Sequence, residues 1–199
     1  MSTSNLLEVR IAEMADVGTA MRLMAGRLKL SLTKMVEAGG VQNGSLIGIG
    51  TGSRKTKDMS LVPLLRLLRA VNWEMAGRVR DPRGIVIYPE GAVELLITAP
   101  DGARIEVPIG ALSDVAVLLN TMAAANALTV TGLNKKAKLG GASLVALAKN
   151  SGPYDDIRLR GLLQIVEAAQ FELLIRPRHA TRREARHATL PTRSDAKAT

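Results

Sequence analysis

An internal repeat limits the folds open to this 199-residue chain more than any other feature of its sequence. When the sequence is shifted by 98 residues, positions 9–78 align with positions 107–176 without a gap, and 18 of the 70 pairs are identical. Many other pairs are apolar in both copies, for example Met35 with Leu133. So long an ungapped match predicts a duplication in which both copies fold as the same supersecondary unit.

Each copy shows the same order of local signals. A short extended segment is followed by a helix, which Asp16 is predicted to cap in the first copy. A second helix begins after a hydroxyl cap, Ser31 or Thr129, and ends at the turn Gly39-Gly40 or Ala137-Lys138. A short third helix is predicted at about 43–51 and 141–149. A longer helix with a leucine stripe closes each copy, as SLVPLLRLLRAVNWEM and RLRGLLQIVEAAQFEL.

Strand signals lie at the ends of the copies and between them. The extended segments LLEVRI and ARIEVPI open the two copies, and the intervening stretch alternates in hydrophobicity and is broken at two Pro-x-Gly turns. The segment LLIRPR is predicted to add another edge to a small sheet shared by both halves. We therefore expect a mainly helical α+β fold with a small antiparallel β element. Its divisions are the first repeat (1–83), a β-hairpin connector (84–104), the second repeat (105–178) and a basic flexible tail (179–199).

Charge points towards a polyanionic partner. The formal net charge is +9, from 27 basic and 18 acidic residues, and the tail contributes a large share of it. An excess of basic residues is also common in proteins as an aid to solubility, which is the alternative interpretation of this charge. The chain has no cysteine, which excludes disulfides and zinc–thiolate sites. With no secretory signal and no apolar stretch long enough to span a bilayer, the sequence predicts a cytoplasmic protein without a membrane partner.

Catalytic chemistry finds little support in the sequence. The two histidines, His179 and His187, both fall in the predicted tail, so no histidine is available to a folded triad or metal site. The stretch GIGTGS resembles a phosphate-binding loop, but no strand precedes it and no Gly-Lys-Ser/Thr follows it. We therefore expect a protein that is not an enzyme and that uses neither a metal nor a cofactor.

The two short helices carry a family resemblance. The segment LSLTKMVEAGGVQNGSLIGIGTGS, followed by the leucine-rich helix, resembles the helix-turn-helix core of the Cro/C1-type (XRE-like) repressors, and the second copy matches in the same register. There are departures: Val36 and Asn134 replace a small residue, Lys138 replaces the turn glycine, and the Glu-Arg pair before the closing glycine is absent. Asn150 stands at the closing position of the second copy, where Asn tolerates the left-handed conformation.

The resemblance implies DNA-binding roles for specific residues. In such a unit the second helix enters the major groove, and neighbouring groups contact the phosphate backbone. The candidates for reading base edges in the first copy are Gln42, Asn43, Ser45 and Thr51. The candidates for backbone contact are Lys34, Arg54, Lys55 and Lys57 in the first copy, and Lys135, Lys136, Lys138, Ser143 and Lys149 in the second.

The implied function is that of a transcriptional regulator that binds double-stranded DNA through the second helix of repeat one, with repeat two and the tail adding backbone contacts. Association with the nucleoid and dimerisation are part of that expectation, although a duplicated chain can supply two reading heads alone. The alternative is a helix-turn-helix-like protein-interaction module that binds itself or another regulator. On that alternative, the polar residues only cap and solvate helices, and the lysines form an ordinary solvated face.

Overall fold

The computed structural model describes residues 8–41, 44–53, 58–80, 106–140, 142–150 and 157–178. The first repeat forms β1 (Val9–Ile11), α1 (Met14–Leu28), α2 (Leu32–Ala38), α3 (Gly44–Thr51), α4 (Leu61–Ala70) and β2 (Trp73–Val79). The second repeat forms β3 (Glu106–Ile109), α5 (Leu112–Ala125), α6 (Val130–Lys136), α7 (Ser143–Ala148), α8 (Leu159–Ala168) and β4 (Phe171–Pro177). The predicted mainly helical α+β fold with a small antiparallel sheet is confirmed. The predicted hairpin connector and the tail lie outside the described residues.

The four described strands form one antiparallel sheet in the order β1-β4-β2-β3. Each pairing in this sheet joins a strand of one repeat to a strand of the other. In the central pairing of β2 with β4, Ala76 lies opposite Leu174, its own counterpart at the 98-residue shift. The two outer pairings are equivalent to each other. Val9 lies opposite Ile175 in the pairing of β1 with β4, and their counterparts at the 98-residue shift, Val107 and Gly77, lie opposite each other in the pairing of β2 with β3. The sheet is therefore pseudo-two-fold symmetric about the Ala76–Leu174 pair.

A second contact between the repeats obeys the same symmetry. Before α4 and α8, the backbone N–H of Leu61 donates to the carbonyl O of Ile157 over 2.8 Å, and that of Leu159 donates to Met59 over 2.9 Å. When each residue is replaced by its counterpart at the 98-residue shift, either bond becomes the other. The buried side chains of both repeats also belong to a single hydrophobic core. The duplication predicted from sequence thus corresponds to two copies of one unit that are packed around a common axis.

The two faces of the sheet have different chemistry. One face, which includes Met75 and Ile175, is buried in the core. The other carries Arg78 and Arg176, whose side chains are only 15% and 14% exposed and which bridge glutamates of both repeats. Burial acts to lower the pKa of each guanidinium, but the hydrogen bonds and charges of the glutamates outweigh it, so both pKa values are raised. The glutamates are Glu8, Glu74, Glu106 and Glu172.

Three local predictions need correction. The closing helices were expected to include the segments NWEM and QFEL, but they end at Ala70 and Ala168, because Asn72 and Gln170 adopt left-handed backbone conformations and strands follow. The segment LLIRPR was expected at an edge of the sheet, but it lies in β4, an inner strand. Asp16 does not occupy the N-cap. Helix α1 begins at Met14, and the Asp16 carboxylate accepts hydrogen bonds from the N–H groups of Ala12 and Glu13, the two residues that precede the helix.

Left-handed backbone conformations occur at equivalent places in the two repeats. The eight positive-φ positions among the described residues fall into four pairs separated by 98 residues. Only two of the eight are glycines, Gly40 and Gly52, and their counterparts are Lys138 and Asn150. Asn150 therefore adopts the left-handed conformation expected of it. The remaining pairs are Lys29 with Ala127 and Asn72 with Gln170. The pairing shows that the frame of the repeat imposes these conformations even where no glycine is present.

Within the described parts of the chain, no single helix is both long and apolar enough to cross a membrane. Taken together, α5 and α6 are long and apolar enough, but the two helices are bent by 79° relative to each other. Most of the large apolar residues of α5, including Leu118 and Leu119, are buried inside the fold.

We expect Ala127→Gly to raise the free energy of unfolding by about 1 kcal/mol, because Ala127 is held at φ 51°, where a Cβ atom is strained. The matched control is Ala124→Gly in the last turn of α5. The same change there should lower the stability by about 0.5–1 kcal/mol, because glycine weakens a helix. Urea unfolding followed by circular dichroism measures both. Equal effects of the two variants would contradict the strain at Ala127.

Candidate nucleic-acid interface

Each repeat presents two short helices joined by a turn: α2 and α3 form the first helix pair, and α6 and α7 form the second. The predicted caps are confirmed, since the Ser31 hydroxyl accepts from the Lys34 N–H and the Thr129 hydroxyl accepts from the Gly132 N–H. The turns match as well. The N–H of Val41 donates to the Val36 carbonyl over 3.2 Å, and the equivalent bond in the second pair is 3.1 Å long. Both helix pairs are therefore built in the same way.

The second helix of each pair is fastened to the long helix that precedes the pair. The Arg22 guanidinium on α1 donates to the carbonyl O of Gly50 in the last turn of α3, over 3.0 Å. At the equivalent place, the Asn120 amide on α5 donates to the carbonyl O of Ala148, over 3.2 Å. The anchoring role of Arg22 and Asn120 was not predicted from the sequence, because the two residues differ in type. The one signal in the sequence was that they occupy equivalent positions of the two repeats. These bonds fix the orientation of α3 and α7 on the body of the protein.

Small residues bring α3 close to α1 and to α2. A Cβ atom on Gly18 would lie 2.6 Å from the carbonyl O of Ile49, and one on Gly50 would lie 3.0 Å from a methyl carbon of Leu32. Six glycines of the first repeat correspond to alanines of the second: Gly18, Gly26, Gly39, Gly44, Gly48 and Gly50 align with Ala116, Ala124, Ala137, Ala142, Ala146 and Ala148. Gly18 and Gly50 thus allow close packing, and Gly50 accounts for part of the glycine content of α3.

The outer face of α3 carries little polar chemistry among the described residues. Gly44 and Thr51 are exposed, whereas Ser45 and Ile47 are half-buried, and α3 contains no charged residue. The Thr51 hydroxyl lies within hydrogen-bond distance of the Ile47 carbonyl (3.0 Å) and of the Ser53 hydroxyl (2.8 Å). These contacts hold the hydroxyl close to its own helix. The predicted site residues Gln42, Asn43, Arg54, Lys55 and Lys57 lie outside the described residues.

The outer face of α7 is apolar apart from its ends. Ser143 is exposed at the start of the helix, Val145 and Ala146 are half-buried, and Lys149 is exposed just after the helix ends. Lys149 lines a surface groove of about 460 Å³ with Asn120, Leu128, Thr129 and Thr131. The Asn120 amide is engaged by the carbonyl groups of Ala116 and Ala148. The depression between α5, α6 and α7 is bordered besides by two threonines and a lysine, which carry hydroxyl and ammonium groups. Such groups suit contacts to phosphate oxygens.

The structure separates the predicted lysines of the second repeat. All four are exposed, but Lys136 and Lys138 line a different groove from Lys149, one that faces α8 and the start of α1. The Lys136 ammonium group also donates to the Asn126 side-chain oxygen over 3.1 Å. Lys135 lines neither groove. The residues predicted for backbone contact in this repeat are therefore not brought together into one patch.

No group of three or more acidic, histidine or cysteine side chains among the described residues is placed to hold a metal ion.

Gly18→Ala should lower the free energy of unfolding by about 1–3 kcal/mol, because its methyl group would be forced against the backbone of α3. Gly26→Ala is a matched control in the same helix, where a Cβ atom meets nothing within 4 Å. That variant should gain about 0.5–1 kcal/mol from the higher helix propensity of alanine. Chemical denaturation of both variants distinguishes the two. A Gly18→Ala protein as stable as the wild type would show that α1 and α3 do not need this close approach.

The helix pairs share their caps, turns and anchoring bonds, and they differ in the side chains that they expose. Neither a scan against protein-family models nor searches of the curated proteins and the solved structures found a match for this chain.

Proposed function

We propose that the protein is a DNA-binding transcriptional regulator, associated with the nucleoid, in which one chain presents both helix pairs to double-stranded DNA. The observation that carries this proposal is the register of the sheet, which relates the two helix pairs by one pseudo-two-fold axis at Ala76 and Leu174. Helix-turn-helix proteins commonly bind as symmetric dimers to two half-sites. Here the duplication supplies the two halves, so binding needs no second chain.

Charge supports a nucleic acid as the partner. The chain carries 27 basic and 18 acidic residues, and neutralising phosphates with lysine and arginine releases counterions from DNA. This attraction is independent of sequence and weakens with salt. The basic tail 179–199 adds to it, so a chain that ends at residue 178 should keep specific binding and lose much of the non-specific binding.

The two helix pairs are proposed to have unequal roles. In the first pair, Gln42, Asn43 and Ser45 supply groups that can hydrogen-bond to base edges. At the positions of Gln42 and Asn43, the second repeat has Gly140 and Gly141, which carry no such groups. Lys149 and the threonines beside it instead suit contacts to phosphates. The proposed target therefore has one half-site of defined sequence and one of relaxed sequence.

The decisive experiment is selection of binding sites from a pool of random duplexes at physiological salt, with the full chain. The proposal requires a recovered sequence with one defined half-site and a stoichiometry of one chain per duplex, measured by light scattering. If folded protein enriches no sequence from the pool, the regulator proposal fails.

Replacement of single side chains should separate base reading from backbone contact. We expect Asn43→Ala to weaken binding to the selected site by about 1–3 kcal/mol and to leave binding to random DNA unchanged. Lys149→Ala should weaken both about equally and reduce the salt slope by about 1. Fluorescence anisotropy over a range of salt concentrations measures both variants. Identical behaviour of the two would contradict the proposed division of roles.

A second candidate function rests on the composition of the helix faces. The outer surface of α3 has no charged residue and a half-buried Ile47, and that of α7 has Val145 and Ala146. Such faces suit a protein partner, either another copy of the chain or another regulator. Concentration-dependent self-association, together with failure of the DNA selection, would favour this candidate.

A further inference from the structure

A groove lies at the junction of the two repeats. Ala12, Glu13 and Met14 of the first repeat form one wall, and α8 with the end of α6 forms the other. The volume of this junction groove is about 530 Å³, which is within the range of sites for small organic ligands. Its apolar lining includes Met14, Ala137 and Leu163. The groove is thus large enough, and apolar enough in part, to hold a compact hydrophobic body.

Positive charge predominates around the junction groove. Lys136, Lys138 and Arg160 line it, against the acids Glu13 and Glu167. Glu167 is already engaged by Arg80, which donates two hydrogen bonds to its carboxylate over 3.1 and 2.6 Å. The hydrogen bond from Arg80 lowers the pKa of Glu167, so its charge is compensated within the protein. Among the described residues that line the groove, the three cations therefore outnumber the acidic charge that is left.

The cations of the junction groove belong to the second repeat alone. Lys136, Lys138 and Arg160 correspond to Ala38, Gly40 and Val62 in the first repeat, which builds the same helices without them. The frame of the repeat therefore does not require these charges. In the first repeat, Arg66 and Arg69 stand instead at the positions of Gln164 and Glu167, so the two repeats place their cations differently.

Lys138 is also costly to the fold. Its backbone lies at φ 54°, in the left-handed region, where the first repeat has Gly40 at φ 62°. A lysine at this position carries strain that the glycine avoids. A charged side chain is thus held at the rim of the groove although a glycine would suit the turn better.

We propose that the junction groove binds a small amphipathic organic anion, with a carboxylate, sulfonate or phosphate group on an aromatic or hydrocarbon body. The anionic group pairs with Lys138 and Arg160, and the body lies against Met14 and Leu163. Charge-assisted hydrogen bonds to lysine and arginine supply selectivity for the anion, and burial of the apolar body supplies affinity. The first repeat has Gly40 and Val62 in place of Lys138 and Arg160, so it lacks the pair of cations that holds the anion. The site stands independently of the proposed DNA binding, and its test contains no DNA.

The test uses the full chain and two fluorescent probes of similar shape. The anionic probe is 8-anilinonaphthalene-1-sulfonate, and the neutral one is N-phenyl-1-naphthylamine, which lacks the sulfonate. We expect one anionic probe to bind per chain, at least about tenfold more tightly than the neutral probe, and dodecanoate to displace it. Equal binding of the two probes, or no binding of either the sulfonate or dodecanoate, would overturn the proposal.

Variants locate the binding site. Lys138→Gly restores the residue of the first repeat and should preserve or raise stability, so a loss of binding cannot be attributed to unfolding. We expect about a fivefold loss of affinity for the sulfonate from Lys138→Gly and from Arg160→Gln, and about a 20-fold loss from both together. Lys135→Ala is the matched control on α6, since Lys135 does not line the groove. Unchanged affinity in the double variant, or an equal loss in the control, would place the probe elsewhere and refute the proposed site.

Discussion

The pairing of β2 with β4 is the interaction on which the rest of the structure depends. It joins seven residue pairs across the two repeats and places Ala76 opposite its own counterpart, Leu174. Because this register is self-complementary, it also sets the places of the outer strands, each of which pairs with a strand of the other repeat. A shift by one residue would turn Met75 and Ile175 away from the core and bring Arg78 and Arg176 into it, which the cost of burying charge forbids.

The common frame allows the two repeats to differ where packing does not constrain them. Caps, turns, left-handed positions and the bonds from Arg22 and Asn120 are kept in both copies. Differences occur on the outer faces, where Lys135, Lys136, Lys138 and Lys149 of the second copy stand in place of Glu37, Ala38, Gly40 and Thr51 of the first. Symmetry of the backbone together with asymmetry of the side chains is what distinguishes this chain from a homodimer of one repeat.

The repeat, most of the helices and a small sheet shared by both halves could be predicted from the sequence. Periodicity of apolar residues located the helices, and the hydroxyl groups of Ser31 and Thr129 located two of their starts. The ends of α4 and α8 were missed because Asn72 and Gln170 are not glycines, so local propensity gave no stop signal. The interleaved strand order and the groove around Lys138 were also beyond prediction, since both depend on how distant segments pack. The base-reading candidates Gln42 and Asn43 remain predictions.

The interleaving of the strands has a consequence for how the chain folds. Val9, near the start of the described chain, pairs with Ile175, near its end, so the sheet is built from contacts that are very distant in sequence. Helices can form from local contacts as the chain is synthesised, whereas β1 has no strand partner until β4 has emerged. The unpaired β1 and the apolar face of β2 are then exposed during synthesis. We therefore expect the sheet of this protein to be completed late, after β4 has been synthesised.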